Sequence, residues 1–129
     1  MMLQRLVNKV LVLAIAGLAL ASCSNLSTKV ERTVFEKGKA SWYGKRFHGR
    51  PTASGEIFDA RKLTAAHPTL PFGTLVEVRS LTSGKSVVVR INDRGPFSNK
   101  RIIDLSHEAA VRLGMVQKGE DQVEVLVGQ

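Results

Sequence analysis

The residues of this chain that can do chemistry fall into four short strings. Gly38-Lys39-Ala40-Ser41-Trp42-Tyr43-Gly44 offers two adjacent aromatics. Thr52-Ala53-Ser54-Gly55-Glu56-Ile57-Phe58-Asp59 offers two carboxylates, Glu56 and Asp59, in a turn-rich stretch. Leu63-Thr64-Ala65-Ala66-His67-Pro68-Thr69-Leu70-Pro71-Phe72-Gly73 carries His67. Val89-Arg90-Ile91-Asn92-Asp93-Arg94-Gly95-Pro96-Phe97 runs an apolar segment into Asp93. A carboxylate at the end of a strand is held by rigid backbone, which suits a catalytic group. The same letters also favour a plain turn.

Other chemistries lack their residues. There is no phosphate-binding glycine loop, no Ser-His-Asp arrangement with sequence support, and a lone cysteine, Cys23. His48, His67 and His107 do not have the spacing of a zinc-binding helix, so no metal or other cofactor is expected. Carboxylates, a histidine and aromatics remain, which is the equipment of glycoside chemistry. Each has a plainer alternative. Trp42 and Tyr43 point to opposite faces if they share a strand; an exposed ring suits a sugar, but both can simply pack. Glu56 and Asp59 can be solvated acids of a turn. His67, extended by the following proline, can be a structural histidine bonded to a loop carbonyl.

The elements that must hold these residues are mostly strands. Leu75-Val76-Glu77-Val78-Arg79 alternates apolar and polar, Ser86 to Ile91 is β-branched, and Leu81 to Lys85 joins them at hairpin length. Arg101 to Leu105, Gln122 to Val127 and Lys39 to Tyr43 complete the strand expectations. One helix is signalled: Ser106 as N-cap, Glu108 in the first turn, Ala109, Ala110 and Leu113 as the apolar face, Gly114 at the C-terminal cap. Arg50 to Phe72 reads as loop-rich. The expectation is a mainly β fold, a small barrel of about six strands with one or two short helices.

The N-terminus reads as an export signal. Arg5 and Lys9 precede an apolar run from Val10 to Leu20, which is too short to span a bilayer as a helix. Leu20-Ala21-Ser22-Cys23 looks like a lipobox, whose cysteine becomes the lipidated N-terminus. The expected organisation is a signal peptide at 1–22, a lipidated Cys23 and flexible tether at 23–37, and one domain at 38–128. Ser24 after the cysteine points to the periplasmic face of the outer membrane. The formal charge is +8. In an exported protein that excess suits the anionic wall and lipid head groups rather than nucleic acid.

Taken together and in order, the four strings resemble the RlpA (rare lipoprotein A) family. The similarity covers essentially the whole domain and is most specific in Val88-Val89-Arg90-Ile91-Asn92-Asp93-Arg94-Gly95-Pro96-Phe97. The resemblance implies a six-stranded double-psi β-barrel. It implies an endolytic lytic transglycosylase that cuts MurNAc–GlcNAc bonds of peptidoglycan, prefers peptide-stripped strands, and leaves anhydro-muramic ends. It implies Asp93 as the catalytic acid/base, with Glu56, Asp59, His67, Trp42 and Tyr43 as substrate-binding or supporting residues. Glu56 and Asp59 would hold substrate, stabilise charge, or keep Asp93 protonated by like-charge repulsion; His67 would orient one of them. Many relatives add a glycan-binding SPOR domain, and no segment for one follows the last expected strand, so septal targeting is not implied. The competing expectations are a non-catalytic, expansin-like wall-binding module and a structural lipoprotein for which the Asp93 carboxylate is irrelevant.

Overall fold

A computed structural model describes residues 31–128; the signal segment, Cys23 and residues 24–30 of the expected tether lie outside the described residues. Six strands are present: β1 (Arg32–Trp42), β2 (Thr64–Ala66), β3 (Leu75–Ser80), β4 (Ser86–Asp93), β5 (Ile103–Leu105) and β6 (Glu120–Gly128). One helix, α1, spans His107–Leu113, and a single 3-10 turn covers Lys45–Phe47. The strands close into a barrel in the order β1-β5-β2-β4-β3-β6. β1 with β5 and β2 with β4 run parallel; the other four pairs are antiparallel. Closure leaves no row of unpaired backbone groups at a sheet edge.

Alternation builds the interior. Val76 and Val78 of β3, Val87, Val89 and Ile91 of β4, and Val123 and Val125 of β6 meet Ala40, Ala65, Ile103 and Leu105 in one buried cluster. Helix α1 caps it with Ala109, Ala110 and Leu113. Ser106 Oγ accepts the Ala109 N–H at 3.2 Å, and Gly114 ends the helix at φ 72°, a conformation that a side chain would strain.

Two elements differ from the sequence expectation. The first strand starts at Arg32, inside the stretch read as tether, and pairs with β6 from Arg32↔Gly128 to Ser41↔Glu120. Its first half is largely exposed, Val34 and Phe35 included, so backbone pairing holds it where no alternating apolar period signals it. Strand β2 lies within the stretch read as loop. At three residues, all buried, it is too short to show a period.

Candidate functional site

The site is built where β4 ends. Thr64 pairs with Arg90, Ala65 with Ile91, and Ala66 with Asp93, so Asn92 is the extra residue of a bulge. Arg90 and Asp93 are three positions apart, which would put them on opposite faces of a regular strand. The bulge restores parity, and both face the same way, outside the barrel.

The Asp93 carboxylate is held from three directions. Oδ1 accepts the Ala53 N–H at 2.9 Å and its neighbour Arg94 N–H at 2.8 Å. Oδ2 accepts the Tyr43 hydroxyl at 2.9 Å. The loop from Thr52 to Ser54 is thereby pinned over the end of β4, with Ser54 N–H donating to the Asn92 carbonyl at 3.3 Å. Asn92 itself is buried, and its Oδ1 has no partner among the described residues.

Tyr43 and Trp42 diverge as adjacent strand residues should. Tyr43 turns to the site, its ring against Phe58 at 4.9 Å and Phe47 at 5.6 Å. Trp42 turns to the core side and meets the His107 ring edge-on at 5.1 Å. Burial, reinforced by the Asp93 charge, raises the Tyr43 phenol far above its usual value. The unfolded chain therefore loses this proton first, near pH ~10. The Tyr43 contribution to stability should be flat below that pH and fall above it, because the unfolded state then binds fewer protons. Tyr43 is the only tyrosine. Subtracting a Tyr43→Phe melting series from the wild-type series should isolate the effect; parallel alkaline slopes would refute it.

Glu56 is near this cluster but committed elsewhere. Arg90 grips it with two hydrogen bonds, each 2.7 Å. That grip lowers the Glu56 carboxyl below its ordinary value. Glu56 is therefore held ionised with its charge balanced by Arg90, which weakens the like-charge repulsion on Asp93 that the resemblance had suggested; it anchors the 51–58 loop to β4 instead. The pair's contribution should be full above pH ~4.3 and lost as pH falls below it. Glu56→Gln should thus be less stable at neutral pH yet lose less in acid, the two melting curves converging there.

Asp59 and His67 do not touch the Asp93 side chain. Asp59 accepts the Arg61 N–H at 2.9 Å and its Nε at 3.2 Å, with His48 beside it. Those hydrogen bonds from Arg61 lower the Asp59 carboxyl. His67 is buried, 3% exposed. Its Nδ1 accepts the Thr69 and Leu70 N–H groups at 3.1 and 3.0 Å, leaving Nε2 to donate to Glu36 of β1. Its ring therefore orients no acid of the Asp93 cluster. Its backbone does bear on the site: the His67 N–H donates to the Asp93 carbonyl at 3.2 Å. Arg94 locks the same loop, donating to the His67 and Leu70 carbonyls at 3.2 and 2.8 Å while its guanidinium lies 4.0 Å over the Phe72 ring.

Arg90, Arg94, Glu36 and the Ala53 amide were not singled out from sequence. Arg90 and Arg94 flank Asp93 in the fourth string, but only the bulge reveals that Arg90 shares its face. Among the described residues no cluster of His, Cys, Asp and Glu is placed to hold a metal ion. The arrangement is one rigid carboxylate, a neutral phenol donor and surrounding aromatics, which can exchange a proton with a bound sugar.

Residues 35–125 match the family described as lytic transglycolase. The chain is 56% identical over 92 residues to the endolytic peptidoglycan transglycosylase RlpA of Vibrio cholerae, covering 71% of this chain and 35% of that protein. It is 53% identical over 90 residues to the Neisseria meningitidis protein of the same name, covering 70% and 38%. The chain thus spans little more than a third of these curated relatives. Among solved structures it is similar to the Streptomyces papain inhibitor, with TM-score 0.57 and 25% identity over 75% of this chain and 99% of that one. It also shares its fold with an expansin of Clavibacter michiganensis, with TM-score 0.57 and 20% identity over 72% and 49%. The fold is the double-psi β-barrel.

Proposed function

The chain belongs to the lytic transglycolase family, and from that footing we propose that it is an endolytic peptidoglycan lytic transglycosylase with Asp93 as its single acid/base. The carrying observation is the three-point grip on Asp93 at the rigid end of β4. Backbone donors occupy Oδ1 twice, whereas Oδ2 has one donor and a free lone pair, so the working proton belongs on Oδ2. Asp93 gives that proton to the glycosidic oxygen of a MurNAc–GlcNAc bond, and the bond from that oxygen to the muramic anomeric carbon breaks. The muramic 6-hydroxyl oxygen then bonds to the same carbon, and its proton returns to Asp93. No water enters, so no second residue is needed as a base. The Tyr43 hydroxyl, kept protonated by burial, follows Oδ2 through both steps as donor or acceptor.

The substrate we propose is peptide-stripped glycan, and the 1,6-anhydro end is the diagnostic product. Lipidation at Cys23 and residence on the periplasmic face of the outer membrane rest on the Leu20-Ala21-Ser22-Cys23 string and Ser24. The reading is tested by digesting purified, peptide-stripped glycan and resolving the fragments by mass spectrometry. Internal cuts with anhydro ends are expected. Retention on the glycan with no fragment released would replace the enzyme with an expansin-like wall-binding module.

A further inference from the structure

We infer that Asp104 is a second substrate-facing carboxylate of this site, across a one-residue floor from Asp93. The inference rests on the lytic transglycosylase reading and assigns the charge-bearing side of the same reaction.

Strand register carries it. Ala66 pairs with Asp93 on one side and with Asp104 on the other. Asp104 pairs in turn with Ser41. Residues opposite one another in a sheet present their side chains to one face. Ser41, Asp104, Ala66 and Asp93 therefore form a single row. The row faces outward, because Ala40, Ile103, Leu105, Ala65 and Ile91 beside it fill the barrel. With neighbouring strands ~4.8 Å apart, the two aspartates stand about 10 Å apart at Cα. Ala66, the residue between them in the row, is buried.

A cleft opens on the Asp104 side. Its volume is about 420 Å³, and Ser41, Trp42, Tyr43, Arg101 and Asp104 are among its walls. Tyr43 joins the two halves, since its ring lines this cleft while its hydroxyl bonds Asp93. Asp104 is also among the charges that raise the Tyr43 phenol, a second sign that it lies close.

Asp104 is held as an acceptor. Its side chain is 15% exposed. Ser41 Oγ donates to Oδ1 at 2.5 Å, and Arg101 supports both, donating to Ser41 Oγ at 3.1 Å with Nε 3.7 Å from Oδ1. This leaves Oδ2 without a protein donor among the described residues. A largely buried carboxylate with one unoccupied oxygen, on the wall of a cleft that Tyr43 links to Asp93, suits positive charge developing in a bound sugar. When the glycosidic bond breaks, the anomeric carbon becomes oxocarbenium-like. A fixed anion beside it, screened from water, lowers the energy of that state without giving or taking a proton.

The full-length protein tests this by kcat and KM for anhydro-product release from peptide-stripped glycan. Asp104→Asn keeps an oxygen for the Ser41 hydroxyl. Its kcat should fall about 100-fold, the size of other preorganised electrostatic contributions, with KM and melting temperature little changed. Ser41→Ala loosens Asp104 without touching Asp93 and should lower kcat less, in the same direction. Wild-type kcat in Asp104→Asn overturns the inference, and so does a lowered melting temperature with kcat per folded molecule intact. If Asp104→Asn does not fold, an unchanged kcat in Ser41→Ala overturns it. An inactive wild type overturns the parent reading as well, so the two failures are distinct.

Discussion

Replacing Asp93 with asparagine should lower the rate of glycan cleavage about a thousandfold while leaving glycan affinity within a few fold. The size follows from the role, since a positioned acid/base contributes about 10²–10⁴ in rate. The specificity of the loss follows from the geometry. The asparagine oxygen still accepts the Ala53 and Arg94 N–H groups that hold Oδ1. The amide nitrogen takes the Oδ2 position, and the Tyr43 hydroxyl can turn to accept from it instead of donating. The local fold is kept and only the exchangeable proton is lost. Initial rates and equilibrium binding on one glycan preparation check both halves. A variant that loses binding in proportion to rate would show Asp93 to be a ligand for substrate rather than its acid.

The largest stability effect should come from a residue whose ring does no chemistry. His67→Ala removes the acceptor of the Thr69 and Leu70 amides and the partner of Glu36, and it leaves a hole at a position only 3% exposed. Unsatisfied polar groups cost about 1–3 kcal/mol each, and the cavity adds to them. A total of about 3 kcal/mol is expected, which in a domain of this size lowers the melting temperature by roughly 10–20 °C. The catalytic rate per folded molecule should fall only modestly at a temperature where the variant is folded, because the ring is turned away from the Asp93 carboxylate. A thermally normal His67→Ala with its rate abolished would make His67 a catalytic group and contradict this placement.

These two residues also mark how far the sequence could be read. Asp93 was legible because an apolar β-branched run ends abruptly in Asn-Asp-Arg-Gly-Pro, and strand ends are where a rigid scaffold presents a side chain. The β3–β4 hairpin and β6 were legible for a similar reason: one face of each meets the core, so apolar residues recur every second position. His67 was legible as a residue of interest, but its partner Glu36 sits in the exposed half of β1, where apolar and polar residues do not alternate. Glu56 was likewise visible, whereas the Arg90 that fixes it lies 34 residues on and faces it only because Asn92 bulges. Asp104 fell inside an expected strand and was not singled out. Its relation to Asp93 passes through Ala66 in a three-residue strand, and no local pattern encodes register across three strands.

The pathway without water is the central claim, and digestion in heavy-oxygen water tests it most directly. Intramolecular attack by the muramic 6-hydroxyl puts no solvent oxygen at the new end. The account predicts anhydro-ended fragments of unlabelled mass from the wild type and none from Asp93→Asn. Fragments with reducing ends that carry the heavy oxygen would contradict it, making the enzyme a hydrolase that needs a second, water-activating residue.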